Sequence, residues 1–341
     1  MSELALGLDV GAVRTKAAGT TLWHGPSAFA DAPGGRRYGA EALAGGVLRH
    51  GFLAARAWRS LGEFLGGVVA PGGPVDVEPR SASVVMAVPD DWTRGVGPTW
   101  TSVVDSTPAG VEVRRALADA PGFGSVRLVP GTQCAASDYL DRHPGVRGCL
   151  LVCDVGAGTV DAAVFACGEG TTRLLDAEHG SVADTGLPDR LLRAAGPGDD
   201  PAWRLMALEH ARCRDARRAR VVLDRAVTHE RYLETPAYLP GAHGGALTAR
   251  VVLDALRPLA ELVGRVVATV TARVAEPLLP EVVATGGNVL GPVVGALGDR
   301  VHLLDPGAAA RGARSIAAGR TTALDGYPHE LGVAVRRVER G

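Results

Sequence analysis

Apolar positions along this chain fall into two rhythms, and the boundaries between them are marked by glycine and proline. Short apolar runs at Leu4 to Leu8, Ser83 to Val88, Val126 to Val129, Leu150 to Cys153, Val160 to Phe165, Thr172 to Glu178 and Glu281 to Ala284 predict strands. Longer stretches predict helices: residues 47–68, with Leu48, Phe52, Trp58, Leu61 and Leu65 roughly on one face, then Val111 to Ala120, Cys134 to Asp141, Leu187 to Ala195, Pro201 to Val227 and Pro306 to Gly319. Thr248 reads as the N-cap of a further helix. Residues 24–46 read as a Gly, Pro and Ala-rich connection, Pro71-Gly72-Gly73-Pro74 as a break, Gly180 to Gly186 as a polar loop, and Pro277–Pro280 as an interruption before the next strand.

One local unit occurs twice. Leu150 to Phe165 reads as strand, turn and strand, with Asp154-Val155-Gly156-Ala157-Gly158-Thr159 between the apolar runs and Asp161 just beyond. Leu4 to Thr20 repeats the unit, with Asp9-Val10-Gly11-Ala12-Val13-Arg14-Thr15-Lys16 as its turn. A single Gly-rich hairpin is most simply a turn, but the repetition argues for more. Glycines at 156 and 158 are expected to take positive φ and turn N–H groups toward an anion. Asp154, Thr159 and Asp161 supply oxygens suited to a hydrated Mg²⁺. Two such turns facing each other would hold a polyphosphate from both sides.

Composition narrows the setting. The 341 residues are 46% hydrophobic and 21% charged, enough for a large bilobed body and against global disorder. A formal net charge of −1 gives no electrostatic argument for nucleic acid or an anionic membrane as partner. Of 36 Lys and Arg residues only Lys16 is lysine, and it falls in the first Asp-x-Gly unit. A high-GC genome explains the scarcity of lysine but not the position of the one that remains, where a compact ammonium suits a phosphate as a point charge. The 5 cysteines show no CxxC pair and read as reduced core residues. With no signal-like leader and no apolar run of membrane-spanning length, the expected location is cytoplasmic.

A third glycine site follows the strand at 281–284: Thr285-Gly286-Gly287-Asn288, with Gly291-Pro292 opening a helix, a joint where a flat ligand or its sugar can approach the backbone. In this order and spacing, Asp9-x-Gly with Lys16, Asp154-x-Gly-x-Gly-Thr-x-Asp161 and Thr285-Gly286-Gly287 resemble the phosphate-one, phosphate-two and adenosine motifs of the actin, hexokinase and DnaK ATPase superfamily. The nucleotide-binding domain of DnaK-type (seventy-kilodalton heat-shock) chaperones is the most similar branch. Supporting features are Val88-Pro89, Ala135-Ala136-x-x-Tyr139, Leu247-Thr248, Asp305-Pro306 with Gly312-Ala313, and Ala219-Arg220-x-x-Leu223-Asp224, which is similar to the adenosine-contacting helix of that family. Leu324-Asp325 through Pro328-x-x-Leu331-Gly332-x-x-Val335 resembles the interdomain linker and first strand of a chaperone substrate domain.

The resemblance implies an α/β actin-like ATPase fold of two lobes, each a five-stranded mixed sheet flanked by helices, a duplicated ribonuclease H-like motif. It places lobe I at 1–147 with a reduced outer part at 36–79, lobe II at 148–311 with an outer part at 184–269, a returning helix at 312–323 and a linker-like tail at 324–341. It implies ATP or ADP with Mg²⁺ as ligands. Asp9 and Asp154 would hold the metal through water and act with Lys16 and Thr159 in catalysis. Gly11, Ala12, Val13, Gly156, Ala157, Gly158 and Asp161 would cradle phosphates, and Arg217, Arg220, Asp224, Thr285, Gly286, Gly287 and Asn288 would face the adenosine.

The sequence also departs from the chaperone pattern. The catalytic lysine of the family falls on Leu43 and its glutamate on Gly131, with Gln133 nearby as a substitute; Val289-Leu290 replaces a serine–arginine pair, and Lys16 matches actin more than DnaK. Losing placed charges lowers phosphoryl transfer, so binding is better supported than hydrolysis. The expected function is an ATP-binding, DnaK-like switch without a peptide-binding half, acting on a protein partner with weak or absent hydrolysis. A small-molecule kinase, with Asp184 or Asp189 as base, and an actin-like filament protein are the alternatives.

Overall fold

The computed structural model describes residues 4–11, 13–32, 35–44, 58–90, 111, 113, 115–117, 122–196, 201–239 and 245–324. In the first half, β1 (Leu4–Val10), β2 (Arg14–Ala18) and β3 (Leu22–Pro26) form a meander. A small hairpin, β4 (Phe29–Ala32) and β5 (Gly35–Tyr38), precedes α1 (Ala40–Ala44) and α2 (Trp58–Val68), and β6 (Ala82–Val88), β7 (Ser125–Pro130) and α3 (Gly131–Arg142) complete the half.

The second half opens with β8 (Gly148–Val155), β9 (Thr159–Gly168) and β10 (Thr171–Ser181), again a meander. It continues through α4 (Leu187–Ala194), α5 (Pro201–Thr228), β11 (Pro236–Tyr238), β12 (Leu247–Thr248), α6 (Ala249–Arg273), β13 (Leu278–Thr285), α7 (Pro292–Leu297), β14 (Val301–Leu303), α8 (Ala308–Ala317) and β15 (Thr322–Leu324).

The two sheets have the same topology. The first runs β3-β2-β1-β6-β7 and the second β10-β9-β8-β13-β14, each with an antiparallel meander followed by two parallel strands. To the second sheet β15 adds a sixth strand, parallel to β10. Alternation explains why the central strands are apolar throughout. Leu151 and Cys153 face the α6 side with Val252, Leu256, Leu259 and Val263, whereas Leu150 and Val152 face the α3 side with Ala135, Ala136 and Leu140. In the first sheet Val84, Met86 and Val88 pack with Leu61, Phe64 and Leu65 of α2, and Val85 and Ala87 with Ala309 and Ala313 of α8.

The inner helices are exchanged between the halves: α3 follows the first sheet and covers the second, and α8 follows the second and covers the first. Two glycines make their close approach possible. A Cβ on Gly312 would lie 1.7 Å from the Cys134 carbonyl oxygen of α3, and one on Gly7 of β1 would lie 2.0 Å from that of Ala310. Arg311 forks onto buried Asp138 across the same contact, at 3.0 and 3.1 Å.

Several boundaries differ from the sequence expectation. The connection at 24–46 contains strands β4 and β5, and β10 runs on through Gly180 and Ser181 because both pair with β9. Strand β13 starts at Leu278 and passes through Pro280; a register shift between Leu278 and Val282 accommodates the missing N–H. Helix α3 begins at Gly131, ahead of the predicted Cys134. Thr248 does cap α6, its hydroxyl accepting from the Val251 N–H at 3.5 Å. Cys134, Cys149, Cys153 and Cys167 are buried free thiols. Predicted helical residues 47–57 and 118–120 and the tail from 325 to 341 lie outside the described residues. Among the described residues no helix is long and apolar enough to cross a membrane.

Candidate functional site

The two Asp-x-Gly units fold into hairpins of the same register. Asp9 pairs across the ladder with Lys16, and Asp154 with Asp161. In each turn the glycine two residues after the aspartate donates its N–H to the carbonyl three residues on, Gly11 to Arg14 at 3.0 Å and Gly156 to Thr159 at 2.9 Å. Lys16 and Asp161 are thus equivalent positions, and both belong to strands rather than turns, which corrects the placement of Lys16 in a phosphate loop. A second correction concerns the glycines: Gly11, Gly156 and Gly158 all keep φ outside the left-handed region, and the N–H groups of Gly11 and Gly156 are used inside their own turns. The N–H groups of Ala157 and Gly158 make no hydrogen bond among the described residues, and a Cβ on Gly158 would meet nothing within 4 Å. Ala12 lies outside the described residues, and Val13 accepts from the Ser27 N–H at 2.8 Å.

Charges gather where the strands end. Lys16 Nζ donates to Asp9 Oδ2 at 2.8 Å, with both side chains largely buried. Asp154 has its carboxyl pushed up to about 7, first by burial, then by the Asp9 charge; Lys16 pulls it down and Asp90 adds to the rise. Asp90, just past β6, was not among the predicted site residues. It is buried, accepts from the Thr132 N–H at 3.2 Å and also takes the Thr132 hydroxyl. A Cβ on Gly131 would lie 3.9 Å from both Asp154 Oδ2 and Asp90 Oδ1. The position where the resemblance expects a glutamate is therefore at the carboxylates, and Asp90 brings a carboxylate there from another strand. Gln133 does not face this cluster: its amide donates to the Thr172 carbonyl at 3.2 Å and its hydroxyl at 3.3 Å. The Leu43 side chain lies outside the described residues.

The third glycine turn closes over the second hairpin. Gly286 has φ +109°, and a Cβ there would lie 2.3 Å from the Val155 carbonyl oxygen, so glycine is required on both counts. Asn288 donates from Nδ2 to the Gly156 carbonyl at 2.6 Å and from its N–H to Val155 at 3.1 Å, while its Oδ1 accepts from Arg212. Arg212 in turn pairs with Glu209 at 2.7 Å. Thr285 is buried and sits beside Asp154 in the ladder. Thr159 donates its hydroxyl to Asp161 at 2.7 Å. The α5 residue that reaches this turn is thus Arg212, held by Glu209, and sequence reasoning missed both; Arg217 and Asp224 are exposed, Arg220 is half-buried, and none of the three hydrogen-bonds to it among the described residues. Only the density of arginines on α5 hinted that one of them would turn inward.

These residues fit a nucleotide and a hydrated cation. Among the described residues no group of three His, Cys, Asp or Glu is placed to hold a metal directly; Asp9 and Asp154 would hold a hydrated ion through water. Asp9 and Asp90 lie close enough to Asp154 to raise its carboxyl, while Lys16 pairs with Asp9. A divalent ion would offset the mutual repulsion of these carboxylates, and the open space beside Gly158 and Gly287 would admit phosphate and a flat base.

No family model and no curated protein matches the sequence. Among solved structures the fold is similar to MreB5 of Spiroplasma citri, whose crystal structure is bound to ADP, with a TM-score of 0.61 over 94% of this chain and 97% of that chain. At 13% identity the likeness is one of fold. The chain has the α/β actin-like ATPase fold, in two lobes built on mixed sheets flanked by helices.

Proposed function

We propose that this chain is an actin-like nucleotide-binding protein that takes ADP or ATP with Mg²⁺ between its lobes. The observation that carries the reading is the pair of equivalent hairpins presenting Asp9 with Lys16 and Asp154 to one cluster, covered by the Gly286 turn. Lys16 and Asp9 would bind phosphate and metal-held water, Asp154 the same hydrated ion, and Gly286 and Gly287 the adenosine. The absent family lysine and glutamate favour slow or no hydrolysis, and a nucleotide-dependent switch acting on a protein partner. Lys16 and the likeness to MreB5 favour an actin-like filament protein over a DnaK-like module. What supports the DnaK-like form is the linker-like motif at 324–335.

The test is calorimetric titration of the purified chain with ADP and ATP, with and without Mg²⁺, followed by chromatography of the nucleotide retained. Magnesium-dependent binding, lost in Asp154→Ala, is expected. Absence of binding, or identical binding by that variant, overturns the reading. Sedimentation with nucleotide then separates filament from switch: pelleting that depends on nucleotide selects the filament.

A further inference from the structure

A cavity of about 740 Å³ is lined from both lobes. Arg14, His24, Arg36 and Arg37 line it from β2, β3 and β5, and His210 and Arg214 from α5. Among the described lining residues Glu41 is the one carboxylate. Strand geometry makes this surface continuous with Lys16. Arg14 and Lys16 are two apart on β2 and share a face, and His24 is the cross-strand neighbour of Lys16.

The cations here are incompletely matched. Arg14 Nη2 lies 2.8 Å from His24 Nδ1; since guanidinium only donates, that ring nitrogen accepts and His24 is neutral. Burial first, then Arg14 and Lys16, hold the His24 pKa below its usual value, and burial and Arg214 do the same to His210. The Arg14 Nε is buried without a hydrogen-bond partner among the described residues. Arg36 is matched by Glu63 at 3.0 Å and Arg214 by Asp215, but the Arg37 side chain has no ion pair among the described residues. Guanidinium groups aimed into one cavity from two bodies are suited to phosphate or carboxylate oxygens, which they bind in a fork.

We propose that this cavity binds a small oligoanion, a molecule with two or more phosphate or carboxylate charges, bridging Arg14 and Arg37 of one lobe to Arg214 of the other, with or without nucleotide bound. The site is distinct from the carboxylate cluster and does not depend on the nucleotide reading.

The experiment is calorimetric titration of the full chain with tripolyphosphate and, separately, with tricarballylate, each without nucleotide and with saturating ADP in excess Mg²⁺. Saturable one-to-one binding in both conditions is expected, and the tighter probe assigns phosphate or carboxylate. Arg37→Ala and Arg214→Gln, one from each lobe, should each weaken the probe by about tenfold, the loss of one charge-assisted contact, and change ADP affinity by less than about twofold. Arg37→Ala removes no hydrogen bond or ion pair among the described residues and keeps the test valid if the other variant misfolds. Failure of both probes to saturate, unchanged affinity in Arg37→Ala, or strict competition with ADP overturns the proposal. Competition would assign these arginines to the phosphates of the nucleotide itself. The titrations without ADP keep a failure here separate from a failure of nucleotide binding.

Discussion

The residue whose chemistry responds most to its neighbours is Asp154. Its carboxyl has a usual value near 3.8 and is pushed up to about 7 in the folded chain, by burial and by the charges of Asp9 and Asp90. A raised acid binds its proton more tightly when folded, so the stability it lends is present below the unfolded value and is lost as pH rises through the folded one. In the nucleotide-free protein Asp154→Asn is therefore expected to match the parent near pH 4. At pH 8 it should exceed the parent by on the order of 1–2 kcal/mol, discounted from the full shift because the side chain is only half-buried by area. Urea unfolding at the two pH values checks this, and a variant less stable than the parent at pH 8 rules it out. Asp9, Asp154 and Lys16 were legible in the sequence because their motif repeats. Asp90 and Arg212 were not, since an acid at a strand end and one arginine among many carry no local mark.

At the scale of elements, the contact between α3 and α8 decides how the halves are joined. A Cβ on Gly312 would press on the Cys134 carbonyl and, at 2.9 Å, on the Asp138 N–H, both backbone of a buried helix that has nowhere to move. Gly312→Ala should cost about 3 kcal/mol or more by overpacking, outweighing the better helix propensity of alanine, worth about 1 kcal/mol. A fall in urea midpoint with unchanged slope would show it, and an unchanged midpoint would mean that the helices can separate. The strand–turn–strand units and the main helices could be read from periodicity. The missed strands β4 and β5 contain Gly35 and the early part of β13 contains Pro280, and there tertiary pairing overrode local preference. The exchange of α3 and α8 between sheets has no signature in either helix alone.

For the whole molecule, two bodies are connected through the inner helices and by β15, which joins the second sheet while the Ala323 carbonyl accepts from Arg127 of the first at 2.7 Å. A ligand held from both sides should favour the closed arrangement. Under the proposed function, Mg-ADP at a hundred times its dissociation constant is expected to raise stability by about 2.7 kcal/mol and to reduce the radius of gyration in solution scattering. Stabilisation without any contraction would place the nucleotide on one lobe only.

The sequence by itself determined the repeated hairpins, the glycine turn that follows the strand at 281–284, and the apolar runs of the central strands. These depend on neighbours within a few residues, where steric freedom and side-chain period act directly. Only the tertiary structure decided that Asp90 stands beside Asp154, that Asn288 ties the third glycine turn directly to Gly156 while accepting from Arg212, and that basic residues from two lobes line one cavity. Those arrangements join positions far apart in the chain. They are set by how two sheets and their exchanged helices pack, which no local pattern of residues encodes.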